Sequence, residues 1–167
     1  MSETALPKSF RQLLGQTLPA DFRKEVVETL LTDKEAKPAA QEALGTIAAL
    51  RKMRPQTISA LGRPERMSLF LTSLGQPAME TAAMQALQVW FLRKGRPLMS
   101  QMLDAWKIAH DNGELADDAE LPSLSAEQIR TAAAESVKSS PKAAVVAYVG
   151  YNHLAPSAEG WHESFGT

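Results

Sequence analysis

Along this chain apolar residues recur at spacings of three and four rather than two, and the segments patterned in this way predict a succession of helices. The pattern is broadest over residues 77–95, PAMETAAMQALQVWFLRKG. Met79, Ala83, Ala86 and Trp90 form one apolar stripe there, and Met84, Leu87, Phe91 and Leu92 form a second. A helix apolar around most of its circumference belongs inside a bundle, so this segment is the predicted centre of the fold. Residues 97–113 follow with a single stripe, Leu98, Met99, Met102, Leu103, Trp106 and Ala109, which leaves Ser100, Gln101, Asp104 and Lys107 for the opposite side.

A first helix is expected over 6–15, burying Leu6, Phe10, Leu13 and Leu14 and stopping at Gly15. Pro19 opens a second, over 19–31, with Phe22, Val26, Val27, Leu30 and Leu31 inward. Thr32 with Glu35 reads as a capping box for a third, although Pro38 can also supply its first turn, and Ala39, Ala43, Leu44, Ile47 and Leu50 form its buried side. Ser125 with Gln128 is a second capping box, for a helix burying Ile129, Ala132, Ala133 and Val137. Ser140-Pro141 starts the last helix, in which Ala144, Val145, Tyr148 and Tyr151 pack. Its β-branched residues also suit a strand, but no partner strand is visible.

Three corners punctuate the middle of the chain: Gly62-Arg63-Pro64, Gly75-Gln76-Pro77 and Gly95-Arg96-Pro97. In each, glycine is expected to close one helix in the left-handed conformation and proline to enter the first turn of the next. Their unequal spacing argues against a solenoid repeat. Residues 111–124, DNGELADDAELPSL, gather Asp111, Glu114, Asp117, Asp118 and Glu120 around Gly113 and Pro122, the composition of a solvated loop. The expected architecture is therefore a single all-α domain, a compact multi-helix bundle or array with tight Gly-x-Pro corners. A basic helical body covers 1–110, the acidic loop covers 111–124, and a helical pair with an aromatic tail covers 125–167. Trp161 and Phe165 in that tail are expected to lie over the body or to be offered to a partner.

Composition narrows the chemistry. A chain of 167 residues, 44% hydrophobic and 22% charged, can bury one sizeable core. With no cysteine, disulfides, thiolate metal sites and cysteine nucleophiles are excluded. No apolar run approaches the ~18 residues of a membrane span, and MSETALPKSF lacks a basic start followed by an apolar segment, so the expected location is cytoplasmic with no membrane partner. The net charge of −1 conceals a split. Nine basic residues face three acidic ones over 51–107, whereas three basic face nine acidic over 111–167. Such a split concerns partners or self-contact.

No catalytic constellation, cofactor fingerprint or metal motif stands out. There is no GxSxG, phosphate-binding glycine loop or dinucleotide fingerprint. His110, His153 and His162, with Glu159 and Glu163, lack the spacing of helical ligand pairs, and HExxH is absent. Two binding readings remain. Five of the seven methionines lie between Met67 and Met102, and Met99 and Met102 with Trp90, Phe91 and Trp106 suit an adaptable partner groove rimmed by Arg93, Lys94 and Arg96. Residues 55–62 and 63–74 have the outline of a helix-turn-helix, with Arg51, Lys52, Arg54, Arg63 and Arg66 available for phosphates. The second helix is mostly apolar, and a pI of about 6.3 does not suit a nucleic-acid binder. The sequence thus points first to a non-catalytic protein–protein interaction module, an adaptor or small subunit that binds another protein or a second copy. A nucleic-acid-associated helical protein is the alternative.

Overall fold

Proline and serine set the helix starts. A computed structural model describes residues 7–116, 122 and 124–154; Leu6, the acidic Asp117, Asp118 and Glu120, and the tail's Trp161 and Phe165 lie outside the described residues. Those residues form an all-α fold with no strand. In order come α1 (Phe10–Gln12), which runs into a π-helical turn (Leu13–Thr17), α2 (Ala20–Thr32), α3 (Lys37–Leu50), α4 (Pro55–Ser59) and α5 (Arg63–Ser73). A 3₁₀ turn (Pro77–Met79) leads into α6 (Glu80–Arg93), followed by α7 (Arg96–Ala105), α8 (Ala126–Ser136) and α9 (Lys142–Leu154). Pro38, Pro55, Pro64, Pro77 and Pro97 all sit in first turns, where the missing N–H costs nothing. Ser125 and Gln128 make the predicted reciprocal cap of α8. The β-branched segment near the C-terminus is helical, as α9.

The chain divides into two compact units, Ser9–Trp90, and Phe91–Thr167 with Met1–Lys8. Within Ser9–Trp90, α2, α3 and α5 pack against one another, and α4 and the 3₁₀ turn pack on α3. Its core holds Leu13, Leu14, Val26, Val27, Leu30, Ile47, Phe70, Met79 and Leu87, and Phe22 meets Trp90 edge-on at 4.9 Å between ring centroids. Within Phe91–Thr167, α7, α8 and α9 pack together around Leu98, Met102, Leu103, Ile129, Ala144 and Val145.

Several expectations are corrected. Thr32 is the last residue of α2, and its hydroxyl donates back to the Glu28 carbonyl. Asp33 instead organises the turn into α3, its carboxylate accepting the Glu35 and Ala36 N–H groups at 2.9 and 3.0 Å. The corner glycines are not left-handed closures: Gly62 and Gly95 are N-caps with φ of −67° and −94°. The left-handed positions after α3 and α7 are lysines, Lys52 and Lys107, with φ of 53° and 55°. At both ends the following residue bonds back in the Schellman pattern, Met53 N–H to the Ala48 carbonyl and Ile108 N–H to the Leu103 carbonyl. So α7 stops at Ala105, and Ala109 is exposed rather than part of its stripe. Leu50, Leu92 and Val137, expected inside, are exposed near their helix ends.

Candidate functional site

Side chains expected to meet a partner are largely enclosed by their own chain. Phe91, Met99 and Met102 are buried in the Phe91–Thr167 unit, with Phe91 edge-on to Tyr148 and Tyr151 at 5.6 Å each. Trp90 is buried in the other unit against Phe22. Trp106 is half-buried, and its indole N–H donates to the Gln128 carbonyl at 3.1 Å, tying the end of α7 to α8. Arg93 and Lys94 are exposed.

Arg96 serves as a staple. Its Nε donates to the Leu92 carbonyl, and its Nη1 to the Asn112 carbonyl at 3.1 Å and to Glu114 Oε2 at 3.0 Å. It thereby holds a turn that the composition of 111–124 presented as open loop. Asp111 and Glu114 pair backbone to backbone across it. Gly113 takes φ of 88°, and a Cβ there would stand 2.9 Å from the Cβ of Met99. His110 closes the same turn: its Nδ1 accepts the Gly113 N–H at 3.0 Å, so Nε2 carries the proton directed at Asp104 Oδ1, 2.7 Å away. Both imidazole nitrogens are engaged, and among the described residues no three potential metal ligands lie together. His162, Glu159 and Glu163 lie outside those residues.

The five cations of the nucleic-acid reading all belong to Ser9–Trp90, but two are engaged by their own chain. Arg51 Nη2 donates to Thr72 Oγ1 at 2.7 Å and lies 3.4 Å from Ser73 Oγ. Arg63 approaches Glu28 at 3.7 Å. Arg66 is half-buried, with no hydrogen-bond partner for its Nε among the described residues, while Lys52 and Arg54 are exposed. Residues 55–59 and 63–73 form the consecutive helices α4 and α5, and Phe70 and Ser73 are the buried residues of α5.

The structure adds a feature that periodicity alone did not reveal. Between α2 and α5 runs a groove of about 550 Å³, lined by Lys24 and Glu28 from α2 and by Pro64, Met67, Ser68, Leu71 and Thr72, with Arg63 at its end, from α5. The α5 residues follow one helical stripe, offset from the stripe that buries Phe70 and Ser73. Helix α5 is thus apolar on two sides. Met67 and Leu71 are half-buried there, beside the long, charged Lys24 and Glu28 of α2. On the other side of Leu71 lies a smaller recess of about 330 Å³, lined mainly by Arg11, Gln12, Gln16 and Leu74; Arg11 donates there to the Gly75 carbonyl at 3.0 Å. In the Phe91–Thr167 unit, burial pushes the Tyr148 phenol up to about 12. No described helix is long and apolar enough to cross a membrane. The chain matches no protein-family model, no curated protein and no solved structure.

Proposed function

We propose that this chain is a non-catalytic helical interaction module, an adaptor or small subunit of a cytoplasmic assembly, and that another protein docks in the α2–α5 groove. The observation that carries the reading is the outward stripe of α5, where Pro64, Met67 and Leu71 keep an apolar floor half open between charged walls. Met67 and Leu71 stand four residues apart, so a partner helix lying along α5 can set apolar side chains against them at the same interval. The unbranched, polarisable methionine adapts to differing partner shapes. Two helical turns of contact fall below the ~1,200 Å² of a stable interface, which supports a transient complex with a Kd in the micromolar range, on the order of −8 kcal/mol. The exposed Lys52 and Arg54 favour nucleic-acid backbone contact as the second reading.

A photo-crosslinking amino acid at the exposed Ser68 separates the two in cells. The docking reading expects a discrete protein adduct at Ser68 that disappears in a Met67→Asp background and does not form from a crosslinker at Thr131. Adducts to nucleic acid would favour the second reading. Equal protein adducts from both positions, or none from Ser68, would contradict docking in the groove.

A further inference from the structure

Building on the docking reading, we infer that the groove's occupant is an acidic amphipathic helix, with two apolar side chains one turn apart and a carboxylate beyond each. The inference comes from the charges that frame the floor. At one end Arg63 reaches Glu28 at 3.7 Å, with their side chains 56% and 49% exposed. An ion pair that wet contributes little, so a carboxylate from outside competes for the guanidinium at small cost. At the other end Arg51 holds the lining residue Thr72, and its hydrogen-bond partners are the hydroxyls of Thr72 and Ser73. Neither neutralises its charge. Between them, on the α2 wall, Lys24 has no hydrogen-bond or ion-pair partner among the described residues.

Two cations, Lys24 and Arg63, therefore line the apolar floor against one carboxylate, and a third, Arg51, is bonded to the lining Thr72. Arg63 and Thr72 are separated by about 13 Å along the helix axis, near two and a half turns. That length fits an apolar pair spaced i and i+4 with an acidic residue outside each member. Phosphate chains meet the cations but leave Pro64, Met67 and Leu71 uncovered, and among the described residues no aromatic ring lines the groove for a base to stack on, so an acidic protein segment fits better than nucleic acid.

Three synthetic helical peptides test this, read by fluorescence anisotropy against the full chain. One carries two leucines four apart flanked by glutamates; in the second the flanks are lysines; in the third the leucines are serines. The glutamate peptide is expected to bind at least about tenfold more tightly than the lysine peptide, with the gap narrowing as salt is added. The serine peptide is expected not to bind. In a Lys24→Glu, Arg63→Glu double variant, checked for folding by circular dichroism, the order of the two leucine peptides should invert. Equal affinities, or tighter binding of the lysine peptide, would overturn the acidic occupant while leaving docking in the groove intact. Failure of all three peptides to bind would remove both. An oligonucleotide that displaces the glutamate peptide and still binds a Met67→Asp variant would give the face to phosphate and overturn the inference.

Discussion

The phenol of Tyr148 lies in the core of its unit, where burial pushes its pKa up from 10.0 to about 12 and the hydrogen bond with Asn152 works against the rise. Because the folded value is raised, the neutral phenol's contribution to stability is complete below pH 10 and is lost as pH climbs through about 12. Absorbance titration of the phenolate should therefore show a late step that vanishes in Tyr148→Phe, with Tyr151 retained; a step near pH 10 in the intact fold, removed by the same substitution, would contradict this burial. Tyr148 was legible as a core residue because it continues the stripe of Ala144 and Val145. The docking residues were not. Met67 with Leu71 and Met99 with Leu103 are the same two residue types at the same spacing, yet the first pair is half open and the second buried. Periodicity assigns an apolar face but not what covers it. For the same reason the pattern around Trp90, Phe91 and Met102 admits a groove as well as a core.

At the scale of elements, helix starts were legible and several helix ends were not. Proline in a first turn and the Ser125–Gln128 box announce a start through groups that no other conformation uses as well. An end depends on one residue taking the left-handed region, and here Lys52 and Lys107 take it where glycine was the residue to look for. That is why the helical pattern over 97–113 runs eight residues past the end of α7 at Ala105. A lysine in that conformation carries a steric cost that glycine does not. Replacing Lys107 with glycine should thus raise stability by about 0.5–1 kcal/mol, seen as a higher urea midpoint with an unchanged slope, whereas Lys107→Ala should give no such gain. Loss of stability in Lys107→Gly would show that the lysine side chain, not the backbone turn, holds this end.

Across the whole molecule, the all-α class followed from the period of the apolar residues, and the split of charge between 51–107 and 111–167 was visible by counting. Where those charges act was not. Arg96 went to stapling a turn, while Arg51, Arg63 and Lys24 came to frame a groove, because sequence distance does not report that α3, α2 and α5 pack together. The seven methionines provide site-resolved reporters of this arrangement. Met67 lines the groove, whereas Met79, Met99 and Met102 are buried. The most direct measurement is a methyl NMR titration of methionine-labelled protein with the glutamate-flanked leucine peptide. Docking between α2 and α5 predicts that the Met67 methyl shifts progressively while those of Met79, Met99 and Met102 stay in place. Movement of Met99 and Met102 with Met67 unmoved, or no movement at saturating peptide, would contradict it.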